Sequence, residues 1–515
     1  MARFTRRYFF YGSLLAGAIP KGGFGSTTSL KAAGYKSPNE KLNIASIGAG
    51  GKAASDIRGC SPTENIVALC DVDDTQPAKS KIYDEFPKAP KYKDFRKMLD
   101  KEGAGIDAVI VTIPDFMHTT AALWCMERGK HVYVQKPLTR TIAETRMMSD
   151  AAAKYKVATQ MGNQGYSNEG TRQCAEMVWN GEIGNVTEVH AWTNRPIWPQ
   201  GLTEIPAPDP VPATLDWDLW TGIANPRPFT VGGKGYPTNN GNFYQPFNWR
   251  GFYDFGCGAL GDMACHILGA PNMALKLTER MPTSVECIQK EGNSSFMFPK
   301  SSLIRFDFPA HGEMPAVKLF WHDGCKETPK IPGVADGEFL GDLPSFGRPR
   351  AQGQQAAAQG PRPAAAPSQI IGRVFDYEAF KARASEGEPR PTTPNGSLFI
   401  GDKGMLTTGT YGEETRLLPL EKMKDYKYPA ELLTRSPGHY RDWIRACKGG
   451  DPACSNFSVS APMTEWILLG VIALRVEGKV EYDSAKMHIT NNPEANKYIK
   501  PVVRKGWGIK GWTMT

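Results

Sequence analysis

Three side chains in this sequence have the types and spacing needed to move a proton at a hydroxyl-bearing carbon. Asp262 and His266 stand four residues apart, so on a helix both side chains share one face. An imidazole on that face can take a hydroxyl proton, and the carboxylate can fix the orientation of its ring. Lys136, in a Gln-Lys-Pro turn, offers an ammonium to stabilise the oxygen that loses the proton. A core histidine and a solvated turn lysine are the ordinary structural alternatives.

A glycine-rich turn near residue 50 has the pattern of a dinucleotide-binding loop. Residues 41–47 predict a short strand, and a G-x-G-x-x-A segment follows it at once. The first glycine permits a tight turn, the second lets backbone N–H groups approach a pyrophosphate, and the small third residue allows helix and strand to pack closely. The residues that we assign to the cofactor here are Gly48, Gly50, Gly51, Lys52 and Ala53.

A carboxylate at the end of the second predicted strand bears on the choice of cofactor. Residues 65–70 predict a strand that leads directly into Asp71. A carboxylate at this point can bind both hydroxyls of an adenosine ribose and would repel a 2′-phosphate. Asp71 therefore favours NAD over NADP, although Lys52 and Asp73 keep NADP open. A strand-end turn former is the alternative role.

Strands and helices alternate through the first part of the chain. Residues 106–112 and 131–134 predict buried strands, and residues 118–128 between them have helical periodicity. This alternation predicts a parallel, doubly wound sheet, in which ligands lie beyond the carboxyl ends of the strands. The further residues that we assign to the cofactor at those ends are Thr112, Pro114, His118, Gln135, Lys136 and Gln164.

The order of these motifs resembles the Gfo/Idh/MocA family of nicotinamide-dependent oxidoreductases, which includes glucose–fructose oxidoreductase and inositol dehydrogenases. The glycine turn, Asp71, a Thr-Ile-Pro segment before His118, the Lys-Pro turn at Lys136 and the pair Asp262-x-x-x-His266 carry the resemblance. It covers roughly residues 41–300 and, more loosely, the region after residue 395. The usual Glu-Lys-Pro of the family is Gln-Lys-Pro here, which removes a charge beside the lysine.

The resemblance implies an N-terminal Rossmann domain with a parallel sheet, followed by an α/β domain with a large, mostly antiparallel open sheet that packs against another subunit. Alternating hydrophobicity in residues 301–308, 316–321 and 396–408 supports that second sheet. We divide the chain into an export signal and linker (1–40), an NAD-binding domain (41–160), a substrate and oligomerisation domain (161–500) with a flexible insertion (344–370), and a C-terminal tail (501–515).

Aromatic, amide and guanidinium groups between the two halves suit a carbohydrate substrate. Aromatic rings can cover sugar C–H faces, and amides can bind hydroxyls, although core packing is the alternative for most rings. The residues that we assign to the substrate are Asn163, Arg195, Trp198 and Arg250. The predicted function is hydride transfer between NAD and a hydroxyl carbon of a sugar, polyol or glycoside, with Lys136 and His266 as alkoxide stabiliser and acid/base.

Two other functions remain open from the sequence. One is an NAD-dependent enzyme that cleaves glycosides by transient oxidation and elimination, with the same site residues. The other is a sugar-sensing protein that keeps the Rossmann fold without turnover, because fold does not fix function.

The first forty residues have the pattern of a targeting segment. Residues 5–10 resemble a twin-arginine export signal, and an apolar run at 9–16 and small residues at 16–18 follow. This predicts a periplasmic or otherwise exported protein, with a basic cytoplasmic N-terminus as the alternative. Six basic residues and one acid in this segment account for +5 of the net charge of +8. The remaining +3 over 475 residues gives no nucleic-acid footprint.

Two further patterns exclude other kinds of site. The ten cysteines contain no Cys-x-x-Cys pair, so we expect structural thiols rather than a metal centre or a disulfide framework. No stretch approaches the 18 or more apolar residues of a membrane span, so we expect no stable membrane insertion.

Overall fold

The computed structural model describes residues 39–233, 236, 241–292, 294–342, 374–385, 395–509 and 511–512. The twin-arginine-type segment, its cleavage site and the predicted insertion at 344–370 lie outside these residues. Among the helices within these ranges, none is long and apolar enough to cross a membrane. All ten cysteines are free thiols, and seven of them are buried.

The first domain is built on a six-stranded sheet in which all strands run parallel, in the order β3-β2-β1-β4-β5-β6. The strands are β1 (Asn43–Ile47), β2 (Asn65–Cys70), β3 (Lys91–Tyr92), β4 (Ala108–Val111), β5 (His131–Val134) and β6 (Thr159–Met161). The flanking helices are α1 (Gly51–Cys60), α2 (Thr75–Lys79), α3 (Ile82–Glu85), α4 (Phe95–Glu102), α5 (His118–Glu127) and α6 (Ile142–Tyr155).

The carboxyl ends of these strands meet at one edge of the sheet. Strand β4 is buried at every position, as expected where helices cover both faces of a parallel sheet. Gly48 follows β1, Thr112 follows β4 and Gln135 follows β5. Three of the predicted cofactor residues therefore lie along the same edge, and the predicted Rossmann domain is confirmed.

The second domain is built on a nine-stranded sheet in the order β13-β12-β11-β7-β10-β9-β8-β14-β15. Its strands are β7 (Val186–Trp192), β8 (Ser284–Glu291), β9 (Ser301–Phe308), β10 (Val317–Asp323), β11 (Gly396–Gly401), β12 (Gly404–Thr408), β13 (Arg416–Leu418), β14 (Lys479–Asp483) and β15 (His488–Ile489). Neighbouring strands are antiparallel except β7 and β10, which confirms the predicted fold class.

The helices after the first domain pack on this sheet or return to the first domain. They are α7 (Glu169–Trp179), α8 (Trp217–Thr221), α9 (Gly258–Ile267), α10 (Gly269–Ala274), α11 (Tyr377–Ser385), α12 (His439–Cys447) and α13 (Phe457–Ala473). Short 3-10 turns occupy Gly103–Gly105, Asp115–Met117, Gln164–Ser167, Asn248–Gly251, Leu277–Glu279, Leu420–Met423 and Pro493–Tyr498.

Helix α13 packs against both domains, which explains why almost all of its residues are buried. On one side, Trp466 packs edge-on against Phe306 and Phe308 of β9, with ring centroids 5.5 and 5.4 Å apart. On the other side, Glu465 accepts a hydrogen bond at 2.6 Å from Arg146 of α6. The two sheets therefore share one core through this helix.

Helix α12 brings the chain back to the first domain after the second sheet is complete. Tyr440 and Trp443 of α12 pack on Tyr133 of β5, with ring centroids 5.7 and 5.6 Å apart. This aromatic contact places polar groups of α12 close to α1 and to the turn that carries Lys136.

Candidate functional site

The glycine turn after β1 is shaped for close approach of a ligand. Gly48 has φ +91°, and a Cβ built on it would lie 2.0 Å from the carbonyl oxygen of Thr112. Gly51, the first residue of α1, has φ +52° and no other group within 4 Å of such a Cβ, so this side of the turn is open. The first N–H groups of a helix lack intrahelical partners and favour an anion, and no acidic residue stands in the first turn of α1. The turn thus fits a pyrophosphate.

The carboxylate of Asp71 contacts the same turn. One carboxylate oxygen accepts hydrogen bonds from the N–H groups of Ala49 at 2.9 Å and Gly50 at 3.2 Å, and the other accepts from Asp73 N–H at 3.1 Å. Burial raises the pKa of Asp71, and these hydrogen bonds oppose that effect. A carboxylate fixed beside the pyrophosphate turn fits an adenosine ribose, as the sequence predicts for NAD.

The two domains meet at a buried ion pair. Lys136, after β5, donates from Nζ to the carboxylate of Asp262 in α9 at 2.7 Å and to its carbonyl oxygen at 2.9 Å. Arg250 donates from Nε to the same carboxylate oxygen at 3.1 Å. Burial alone would raise the pKa of Asp262, but the charges of Lys136 and Arg250 hold it well below its ordinary value. The carboxylate is therefore ionised and bridges two cations.

His266 lies one helical turn further along α9 and differs from the expected arrangement. The carboxylate of Asp262 bonds Lys136 and Arg250, so the prediction that it orients the imidazole is wrong. His266 is only 6% exposed, and its Nδ1 has no hydrogen-bond partner among the described residues. Its ring packs edge-on against Tyr411, with centroids 4.9 Å apart. Burial, and then the charge of Lys136, lowers the pKa of His266 well below its ordinary value, which keeps the ring neutral.

The predicted substrate residues divide into two pairs. Arg250 stacks on aromatic rings beside Asp262, and the charge of Arg195 also lowers the pKa of Asp262, so both guanidinium groups belong to the site. Trp198 is almost fully buried and donates from its indole N–H to the side chain of Gln200.

Asn163 is fully buried. Its amide accepts from Ser455 Oγ at 2.6 Å and donates to the carbonyl oxygen of Cys265 at 3.4 Å. Both ends of this amide are engaged inside the protein, so Asn163 supports the end of α9 rather than facing a substrate. The structure therefore does not match the prediction that Asn163 contacts the substrate. The sequence cannot reveal partners as distant as Ser455 and Cys265.

The sequence predicts His118 near the cofactor, whereas the structure places it inside the protein. Its two ring nitrogens each lie 2.8 Å from a carbonyl oxygen, those of Pro137 and Ile113, and burial lowers the pKa of His118 to about 4. This places the imidazole between the Pro114 turn and the Lys136 turn, where it supports both strand ends from behind.

The other predicted cofactor residues surround the helix start. Ala53 is buried in α1, as the close helix–strand packing requires. Gln164, with its amide oriented to satisfy both neighbours, accepts from Lys52 Nζ at 2.9 Å. The side chains of Thr112 and Gln135 turn inward, and both donate to Asp56 of α1.

Sequence reasoning missed Asp115, which follows Pro114 at the end of β4. Asp115 is 3% exposed, and the charges of Arg250, Asp262 and Lys136 act on it. Burial raises the pKa of Asp115 to about 8, partly opposed by Arg250. Its position beyond the carboxyl end of a central strand was the available signal.

Across the described ranges, no group of three His, Cys, Asp or Glu side chains could hold a metal ion.

Comparisons with known proteins agree with this architecture. Residues 42–163 match an oxidoreductase family with an NAD-binding Rossmann fold, and residues 177–297 match the C-terminal α/β domain of the same family. A glycosyl hydrolase family 109 protein of Solibacter usitatus is 31% identical over 32% of this chain and 39% of its own length. An inositol 2-dehydrogenase of Pseudomonas fluorescens is 30% identical over 30% of this chain and 46% of its own length. The matched region is thus less than half the length of either relative.

The fold also resembles solved structures at low identity. The WlbA dehydrogenase of Bordetella pertussis, solved with NADH and UDP-GlcNAcA, has a TM-score of 0.50 and 11% identity, over 86% of this chain and 99% of that chain. A likeness at this identity concerns the fold alone.

We predict that Gly48→Ala weakens NADH binding about tenfold or more, because the new Cβ would collide with the carbonyl of Thr112 and shift the turn. Titration of NADH fluorescence measures this dissociation constant. Gly103→Ala is the matched control, since Gly103 has φ −54° and a Cβ added there would meet no other group within 4 Å. Equal affinity of Gly48→Ala and the parent protein would contradict the assignment of this turn.

The raised pKa of Asp115 has a consequence for stability. Between about pH 4 and its pKa near 8, the folded state keeps a proton on Asp115 that the unfolded chain releases. The free energy of unfolding therefore falls as pH rises through that window. We predict a flatter pH dependence for Asp115→Asn, measured by urea unfolding at several pH values within it. The exposed Asp150→Asn is the control, and parallel curves for Asp115→Asn and the parent would refute the prediction.

Proposed function

We propose that this chain, whose residues 42–163 and 177–297 match the two domains of the Gfo/Idh/MocA oxidoreductase family, transfers hydride between NAD and a hydroxyl-bearing carbon of a sugar, polyol or glycoside. The observation that carries the proposal is the meeting of Lys136, Asp262 and a neutral His266 beside the cofactor edge of the Rossmann sheet. The similarity to an inositol 2-dehydrogenase supports a polyhydroxylated substrate.

Lys136 is suited to bind the reacting oxygen. An ammonium has three N–H donors, and two of those of Lys136 are directed at the carboxylate and carbonyl of Asp262. The third is left for a substrate hydroxyl, and it would stabilise the negative charge that develops on that oxygen. Asp262 fixes the ammonium in place, and Arg250 helps to hold Asp262 itself.

His266 is suited to accept the hydroxyl proton. A neutral imidazole has a lone pair on one ring nitrogen, and Nδ1 of His266 has no partner within the described residues. Its lowered pKa keeps the ring neutral at neutral pH, so that a ring nitrogen can accept the proton of a substrate hydroxyl. NAD bound at the glycine turn supplies the hydride acceptor.

We predict that Lys136→Met and His266→Asn each lower kcat by about 10²-fold or more, because each removes one partner in proton transfer. The dissociation constant of NADH should change by less than about threefold, since the glycine turn is untouched. NAD reduction with inositol and glucose gives the rate. Lys448→Met is the matched control, a lysine of similar burial that pairs with Glu64 away from the site. Normal turnover in both site variants would exclude this mechanism.

A second candidate uses the same residues without net redox change. The similarity to a glycosyl hydrolase family 109 protein favours glycoside cleavage, which here would combine transient oxidation, elimination of the aglycone, addition of water to the resulting double bond and re-reduction by the same bound cofactor. Export of a folded protein would also favour an internally recycled cofactor. This candidate predicts aglycone release with no accumulation of NADH, slowed by deuterium at C3 of the glycoside. Release without an isotope effect would count against it.

Two further proposals concern assembly and location. The outer face of the second sheet carries partly exposed Phe320 and Arg305, which suits contact with a second copy. A single-chain mass in solution by light scattering would reject self-association through this face.

For location, the twin-arginine-type segment supports export, and loss of the protein from the periplasmic fraction on Arg6→Lys with Arg7→Lys would test it.

A further inference from the structure

One buried carboxylate, separate from Lys136, Asp262 and His266, accepts hydrogen bonds from four donors in three parts of the fold. Asp56 of α1 is fully buried. One of its oxygens bonds Lys52 Nζ and accepts from Tyr440 Oη at 2.7 Å. The other accepts from Thr112 Oγ1 at 2.9 Å and from Gln135 Nε2 at 2.9 Å. Asp56 thus joins the cofactor helix, the ends of β4 and β5, and helix α12.

Gln135 connects Asp56 to Lys136 by hydrogen bonds. Its amide N–H₂ faces Asp56, so its amide oxygen must face the opposite way, where it accepts from the backbone N–H of Lys136 at 3.3 Å. A carboxylate only accepts hydrogen bonds, so the charge on Asp56 fixes which end of the Gln135 amide points toward Lys136.

The same geometry explains why the turn contains glutamine. A glutamate at position 135 would place a second carboxylate against Asp56 in a buried site, and two such groups cannot both ionise without a large cost. The negative charge that the family's Glu-Lys-Pro turn carries is supplied here from α1, four residues after Lys52.

We propose that Asp56 is the positioning residue for Lys136, acting through the oriented amide of Gln135. The proposal rests on the proposed function only in assigning Lys136 a role in turnover. It does not need Asp56 to touch cofactor or substrate.

Donor and acceptor matching makes the proposal testable by a paired exchange. In Asp56→Asn, the amide oxygen must face the Lys52 ammonium, which only donates, so the N–H₂ faces the N–H₂ of Gln135 and forces that amide to flip and lose its bond to Lys136. In Gln135→Glu, two carboxylates oppose each other. In the double variant Asp56→Asn/Gln135→Glu, the carboxylate at 135 can accept from Asn at position 56 with one oxygen and from Lys136 N–H with the other.

We expect each single variant to lower kcat about tenfold or more and the double variant to recover to within about threefold of the parent. The NADH dissociation constant should stay within about threefold in all of them. Hydrogen exchange of the Lys136 amide, measured on full-length protein, should accelerate in the single variants and slow again in the double variant. Gln135→Met gives the same loss without disturbing the pair of Asp56 and Lys52, should Asp56→Asn fold poorly.

Glu64→Gln is the matched control. Glu64 is also a buried acid of the first domain that pairs with a lysine just after α12, Lys448, but it does not reach Lys136. It should lower the melting temperature without changing kcat or the exchange of the Lys136 amide. Equal loss of kcat in Glu64→Gln and Asp56→Asn, or a double variant no better than the singles, would overturn the proposal. If the parent reduces NAD with neither inositol nor glucose, the proposed function loses support, while the exchange measurements still decide the role of Asp56.

Discussion

The ion pair between Lys136 and Asp262 is the interaction on which the site depends, because its two members belong to different domains. Lys136 stands at the end of a parallel strand, and Asp262 stands in a helix of the second domain. Both side chains are only 13% exposed, so separating the domains would leave each charge to be solvated alone. Removing one partner of such a buried pair typically costs about 3–5 kcal/mol. The pair therefore links domain docking to the assembly of the reacting groups.

The surroundings of this pair keep it ionised and ordered. Arg250 brings a second cation to Asp262 and lies 4.3 Å from the rings of Phe247 and Trp249. The rings exclude water from one side of the guanidinium, and a planar guanidinium stacks well on aromatic faces. A lysine at position 250 would keep the charge and lose the stacking. The aromatic residues that the sequence analysis connected with sugar faces thus act in part through Arg250.

The sequence predicted the parts of the structure that depend on local spacing. The glycine turn, Asp71 and the strand-end position of Lys136 follow from patterns a few residues long. The sequence also predicts one parallel and one mostly antiparallel sheet, as the structure has them. Helix α13 likewise begins at Phe457, where the side chain of Asn456 caps it, a local signal of the same kind. Local signals of this kind fix most of the fold.

The errors at the site share one physical origin. The i, i+4 rule placed Asp262 and His266 on one face, but the carboxylate found Lys136, which is 126 residues away. Tyr440 reaches Asp56 over 384 residues. No local pattern can rank such distant donors against a neighbour, because a buried carboxylate takes the strongest cations that packing delivers.

The division of charge between the two buried carboxylates follows from these partners. Asp56 faces one ammonium and three neutral donors, whereas Asp262 faces an ammonium and a guanidinium with a third cation nearby. The Asp262 side of the site thus holds excess positive charge. That excess disfavours a protonated His266, since adding a cation beside Lys136 would cost further energy. Burial and the charge of Lys136 therefore keep the histidine neutral against the opposing effect of Asp262, and one arrangement prepares both the oxygen-binding cation and the proton acceptor.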